Sequence, residues 1–302
     1  MGKTFGIDVS KWQGNFDFKN AQRQGVKFAI LRAGYTGSSD GVSKAIDEKY
    51  ERNYKECKKL GIGVGAYWYS RATSKAKGEA EAKFMYEKCL KGKQFEYPIY
   101  IDVEDTVYQK KTSKKNVTSA IKGFCEYLEN KGYWVGIYAS DISGFKEMMN
   151  IDDLKAYDKW VARYGSEPKY VKEYGMWQFS STNGKIKGAG NSLDLDYAYK
   201  NYPKIMKEKG KNGFKKQTAT EIPSNSSSST PNSSKTTKYY KKYAGNSKSL
   251  VDALNSLKID SSFSYRRKIA KANGIKAYLY LGTKKQNEKM LNLLKQGKLI
   301  KA

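Results

Sequence analysis

Over residues 1–210, short apolar runs alternate with amphipathic stretches. Gly6–Val9, Phe28–Ala33, Gly63–Tyr69, Ile99–Glu104, Trp134–Ala139, Lys159–Arg163, Met176–Phe179 and Leu193–Asp196 read as strands. Between them, apolar residues recurring at helical spacing predict helices over Asp47–Leu60, Lys75–Cys89 and Lys115–Asn130, with fainter patterns at Asp17–Gln24 and Ile142–Met149. Strands alternating with helices point to parallel βα units. The last three strands are separated by segments rich in Gly, Ser and Lys. Those segments are too short for a crossover helix, which takes a dozen or more residues. The pattern therefore predicts an α/β barrel whose final segment has lost its helical layer.

The pattern breaks between Lys211 and Thr237, where seven serines fall between Ser224 and Ser234 and Pro223 and Pro231 flank them. Such a stretch buries too little surface to repay its ordering, so residues 211–237 are expected to be a flexible tether. Residues 238–302 form a second, smaller unit with 16 Lys+Arg against 3 Asp+Glu. Leu250, Leu254 and Leu257, then Tyr265–Ala272, then Lys285–Gln296 predict three helices, and Ala277–Leu281 a strand, making a small α+β domain. Its core is small for its length, and self-association is one way to compensate.

Composition narrows the chemistry. The chain has 302 residues, 57 Lys+Arg, 30 Asp+Glu and no histidine. Catalytic triads that need imidazole are excluded, as are zinc sites built on it. Cys57, Cys89 and Cys125 are odd in number and lie in helical segments, so they read as reduced thiols. Acid–base work falls to carboxylates, Lys, Tyr or Cys, and neither a metal nor a cofactor is expected. The net charge of +27 points to a polyanionic partner, which nucleic acid, acidic lipid and wall polymers all satisfy.

The segment Pro98-Ile-Tyr-Ile-Asp-Val-Glu-Asp105 carries the most specific signal. Strand alternation puts Ile99, Ile101 and Val103 on one face and Tyr100, Asp102 and Glu104 on the other. Asp8 in Phe5–Val9, and Asp194 and Asp196 in Leu193–Asp196, repeat the design. In a barrel these acids face inward near the mouth, where catalytic groups of such barrels lie. A lone Asp-x-Glu is more often a salt-bridged edge pair, and Asp194 and Asp196 by themselves could decorate an edge strand or bind calcium. Three strands with inward acids in a chain without His favour catalysis. Crowded carboxylates cannot all ionise, and a protonated Glu beside ionised Asp is what glycosidic cleavage requires.

Together with Phe5-Gly-Ile-Asp-Val-Ser-Lys-Trp-Gln-Gly14, Gly65-Ala-Tyr-Trp-Tyr69, Tyr100-Ile-Asp-Val-Glu104, Gly136-Ile-Tyr138, Trp160-Val-Ala-Arg-Tyr164, Trp177-Gln178 and Leu193-Asp-Leu-Asp196, residues 4–205 resemble the family 25 glycoside hydrolases, the Chalaropsis-type lysozymes common among phage endolysins. The resemblance implies a (β/α)5β3 TIM-like barrel. It also implies hydrolysis of the β-1,4 bond between N-acetylmuramic acid and N-acetylglucosamine of peptidoglycan. By position Glu104 is the general acid, Asp102 its partner, and Asp8 and Asp194 the flanking acids; Asp196 stands where relatives usually carry Asn. Tyr67, Tyr138, Trp177 and Gln178 fall at motif positions that line the sugar groove, whereas Trp160 reads as core. Arg32 and Arg163 are expected to pair with the acid cluster.

The tail is similar to the C-terminal wall-binding modules of clostridial-type phage lysins, which implies an anionic wall partner such as teichoic acid. The competing reading is nucleic-acid binding, since Arg266-Arg267-Lys268 opens a helix. The Ser-rich tether favours the wall, because it lets an anchored catalytic head sweep nearby polymer. The first residues, MGKTFGIDVS, hold no apolar stretch behind a basic leader, and no apolar run reaches the ~18 residues of a spanning helix. The expectation is an endolysin made in the host cytoplasm without signal peptide or membrane insertion, acting on the wall after release. The alternatives are a secreted autolysin of the same activity, a chitin-type barrel glycosidase, or a non-catalytic wall or nucleic-acid binder.

Overall fold

Among the described residues nine strands follow in chain order: β1 (Thr4–Val9), β2 (Phe28–Thr36), β3 (Lys44–Ile46), β4 (Gly63–Tyr69), β5 (Ile99–Asp102), β6 (Val135–Ser140), β7 (Asp158–Ala162), β8 (Met176–Ser180) and β9 (Asp194–Ala198). The computed structural model describes residues 3–216, 239–275, 280 and 282–301. They fall into two compact units, one within Met1–Gln217 and one within Thr218–Ala302.

In the first unit eight strands close a barrel, and β3 is a short antiparallel extension of β2. Strands β1, β2, β4, β5, β6, β7 and β8 are parallel neighbours in that order. The ring is closed by β9, which runs antiparallel to both β8 and β1. Helices α1 (Phe18–Arg23), α2 (Tyr50–Leu60), α3 (Lys75–Met85) and α4 (Lys114–Asn130) fill four crossovers. The fifth holds a π-helical turn, Asp141–Lys146, and a 3-10 turn, Ile151–Leu154, where a helix over Ile142–Met149 was expected. No helix separates β7, β8 and β9, so the layout is the expected (β/α)5β3. The β7–β8 connection keeps its strands parallel without a helix, whereas the β8–β9 connection reverses direction and leaves β9 antiparallel to both its neighbours.

Period-two alternation sorts the side chains into two cores. Ile7, Val9, Ile99, Ile101 and Val103 pack outward under the helices. Phe28, Ile30, Tyr97, Tyr100, Trp160, Met176 and Tyr202 plug the lumen, with Tyr97 stacked on Phe28 at 4.4 Å between centroids. α4 forms because Ser113 caps it, accepting from the Asn116 N–H, while Val117, Ile121, Phe124, Cys125 and Leu128 recur on its buried side. α3 and α4 meet backbone to backbone. A Cβ on Gly78 would run into the Ala120 carbonyl, and one on Gly123 into the Lys75 carbonyl.

The barrel also reaches further than its expected end at residue 210. After α5 (Tyr202–Lys209), Asn212 is buried with φ 55°. Its Nδ2 donates to the Tyr97 carbonyl and its Oδ1 accepts from the Trp134 N–H, both at 2.7 Å. The polar composition of 211–216 looked like tether, but Asn212 satisfies the loops leading into β5 and β6. The remainder of the expected tether, 217–237, lies outside the described residues.

The second unit contains α6 (Leu250–Ser256), α7 (Phe263–Ala272) and α8 (Lys284–Lys295), with an antiparallel bridge between Tyr239 and Ile300. Leu250, Leu254, Ile269, Met290, Leu294 and Leu299 form its core. Apart from the buried Tyr280, the expected strand at Ala277–Leu281 lies outside the described residues. Arg266 is buried, donating to the Ser261 carbonyl at 2.9 Å and to Tyr280 Oη at 3.0 Å, so it holds the fold and does not present a basic face.

The α3–α4 contact gives the first prediction. Gly123→Ala forces two helix backbones apart and destabilises the protein by about 3 kcal/mol, whereas Gly184→Ala, with open space around it, changes stability by less than about 0.5 kcal/mol. Chemical denaturation of the two variants reads the difference.

Candidate active site

The barrel registers bring the acids together. Asp8 lies opposite Asp194 across the β1–β9 ladder, and Asp196 lies opposite Gly6 and Gln178. Asp102 is aligned with Tyr69 and Tyr138 on the neighbouring strands. β5 ends at Asp102, two residues earlier than expected, but the Val103 N–H still donates to the Tyr138 carbonyl at 2.9 Å. The extended backbone thus carries Glu104 onto the same side as Asp102. A cavity of about 200 Å³ opens there, lined by Asp8, Tyr67, Asp102, Glu104, Tyr138, Trp160, Tyr164, Gln178 and Asp194.

Its hydrogen bonds form a short chain. Tyr138 Oη donates to Gln178 Oε1 at 2.8 Å, and Tyr164 Oη donates to the same oxygen at 3.2 Å. With its oxygen so occupied, Gln178 turns Nε2 to Asp8 Oδ2 at 2.7 Å. Trp160 Nε1 donates to Asp196 Oδ1 at 2.8 Å. Asp102 Oδ1 and Asp196 Oδ2 are buried with no donor.

The electrostatics follow from enclosure. Burial raises Asp102 well above the usual carboxylate range and the charge of Glu104 raises it further, against the opposing pull of Arg32 and Arg71. Glu104 is raised by burial, then by Asp194 and Asp105, although its carboxyl opens to the cavity. Asp8 is raised by burial, then by Asp194 and Asp196. Burial pushes Asp194 up to about 6. No Lys or Arg lines the cavity. Among the described residues no three His, Cys, Asp or Glu side chains form a metal-ligating group.

Several expected residues lie elsewhere. Trp177 is adjacent to Gln178 on β8 and so faces the other side of the sheet, where it packs on Phe179 and donates to the Arg163 carbonyl at 2.7 Å. Asp196 is fully buried beneath the cavity and does not line it. Arg32 pairs with Asp47 at 2.7 Å and Arg163 with Asp141 at 3.1 Å, so neither joins the acid cluster. Trp160, read as core, is both buried and part of the cavity floor. Tyr164 was missed, although it directly follows a strand ending at the mouth; at 54% exposure it is the most accessible ring there.

A barrel whose C-terminal mouth holds carboxylates raised above their usual range beside aromatic rings has the makings of a glycosidase. The family described as Glycosyl hydrolases family 25 matches residues 7–189, and the chain belongs to it. The autolytic lysozyme of Clostridium acetobutylicum is 31% identical over 192 residues, covering 63% of this chain and 54% of that protein. This chain therefore matches only about half of that relative's length. Among solved structures, the CTP1L endolysin is similar with a TM-score of 0.58 and 27% identity, over 68% of this chain and 69% of that one. The modular autolysin LytC from Streptococcus pneumoniae, solved with a synthetic peptidoglycan ligand, has a TM-score of 0.56 and 27% identity over 65% and 47%.

Asp194 sets a pH signature on stability. Its folded value of about 6 exceeds the ordinary 3.8, so below pH 4 the group is protonated folded or unfolded and costs nothing. As pH rises through 6 the unfolded chain ionises more readily, and stability is lost. Asp194→Asn therefore gains about 1–2 kcal/mol at pH 7.5, after discounting for its partial exposure, and nothing at pH 3.5. Urea denaturation at the two pH values measures it.

Proposed function

We propose that the barrel hydrolyses the β-1,4 bond between N-acetylmuramic acid and N-acetylglucosamine in bacterial peptidoglycan. Glu104 is the general acid and Asp102 its partner. The observation that carries this reading is the pairing of a cavity-facing Glu104, raised by its surroundings, with a buried Asp102 two residues before it on the same face. The names of the relatives, an autolytic lysozyme and an endolysin, point the same way.

The reaction starts when Glu104 gives its proton to the glycosidic oxygen as the bond to the anomeric carbon breaks. The 2-acetamido oxygen of the same sugar bonds to that carbon, forming an oxazolinium ion. Asp102, which lines the cavity, accepts the acetamido N–H and stabilises the positive charge. That hydrogen bond favours the ionised form of a carboxyl whose pKa burial raises. Water then attacks the anomeric carbon while Glu104 takes its proton, so configuration is retained. Because Asp102 and Glu104 interact directly, they titrate as a pair.

Tyr67, Tyr138 and Tyr164 flank the sugar, while Gln178 holds Asp8 at the cleft's far side. The second unit serves as a wall-targeting module. Its substrate and place of action are then both the cell wall, in an endolysin or in a bacterial autolysin.

Glu104→Gln lowers the release of glycan fragments from peptidoglycan by about 10³-fold, and Asp102→Asn by a similar factor. Mass spectrometry of the digests reads both. Retention of more than a tenth of the activity by Glu104→Gln overturns the assigned roles. NMR of the initial product shows retained anomeric configuration; inversion removes the acetamido route while leaving hydrolysis intact. Asp194→Asn shifts the alkaline limb of kcat/KM to lower pH, because one of the charges holding Glu104 up is gone.

A further inference from the structure

The end of the barrel opposite the acids is where its parallel strands begin. Thr4 opens β1, Gly63 opens β4, Lys27 and Tyr97 come just before β2 and β5, and antiparallel β9 delivers Lys200 to the same end. A cavity of about 650 Å³ lies among them, and Lys27, Lys58, Lys200 and Lys207 line it together with a single acid, Glu96. Lys58 is paired with Glu96, and Lys200 with Asp158 at 2.9 Å. Lys27 and Lys207 have no acidic partner among the described residues. Two uncompensated ammonium groups thus share a concave, half-polar site that the hydrolase reading does not use.

No arginine lines the cavity, so an anion there is met by lysine point charges and not by a planar fork. The wall offers no fully exposed ring face for a base to stack on. Tyr97 is buried and stacked on Phe28, and Tyr199 packs edge-on against Tyr174 at 5.5 Å. Single-stranded nucleic acid depends on such faces. The volume exceeds what a bare phosphate fills, and hydroxyl-bearing Thr4 stands on the wall beside the lysines.

We propose that this lysine-lined pole binds a phosphodiester-linked polyol chain, so that the catalytic barrel itself, and not only the second unit, engages an anionic polymer. The proposal rests on the charge and shape of this pole and extends the hydrolase reading without depending on it. The test titrates the full chain with poly(glycerol phosphate), inorganic phosphate and a single-stranded oligonucleotide at one ionic strength. Binding is read by calorimetry and at the 15N-labelled ammonium signals of Lys27 and Lys207. Poly(glycerol phosphate) binds saturably and moves both signals, and Lys27→Gln combined with Lys207→Gln weakens that binding at least tenfold. The same double variant keeps its thermal midpoint and its cleavage of a short, uncharged glycan; Lys207→Glu weakens polymer binding further. Unmoved ammonium signals, or equal affinity in the double variant, overturn the proposal by placing the polymer elsewhere. Inorganic phosphate binding as tightly as the polymer overturns the polyol part, and an oligonucleotide that binds more tightly through these lysines replaces it with nucleic acid.

Discussion

Enclosing several carboxylates in one small space without a cation among them is the constraint on which the rest of the barrel depends. Each buried acid must be relieved by a proton or a hydrogen bond. The structure shows how the relief is distributed. Gln178 gives its N–H to Asp8 and Trp160 gives its N–H to Asp196. The arginines are kept one layer back, Arg32 on Asp47 and Arg71 on Asp105, near enough to temper Asp102 without neutralising it. An arginine inside the cavity would favour the ionised form of Glu104. The surrounding ion pairs thus bear on the charge state of the acids.

Much of this was legible before any coordinates. Alternation alone placed Asp8, Asp102 and Asp194 inward, because a period of two leaves only two faces and the apolar residues claim one of them. The helices with strong apolar stripes, α2 and α4, appeared close to their expected spans. The loss of helices after β7 followed from connection length. What stayed hidden was information that alternation does not contain. A strand reads the same in either direction, so antiparallel β9 was not visible in its own residues. Trp177 and Gln178 sit side by side in one motif, yet adjacent strand residues must diverge, and only Gln178 reaches the cavity. Ion-pair partners far apart in sequence, such as Arg163 and Asp141, have no local signal. Asn212 looked like tether by composition and acts as a staple because its backbone adopts a left-handed turn that Asn tolerates.

The two units divide the work by composition. The barrel hides its charge problem inside a large core, whereas the second unit is small, strongly basic and organised around a few leucines and a buried Arg266. In that unit Arg266, the first residue of the Arg266-Arg267-Lys268 run, is taken up by Ser261 and Tyr280.

The aromatic plug of the lumen has one further consequence. Phe28, Tyr97, Tyr100 and Tyr202 fill the lumen between the acid mouth and the lysine-lined floor, so a layer of buried rings separates the two ends of the barrel. The two linings have no residue in common, so a change in the walls at one end leaves the walls at the other intact.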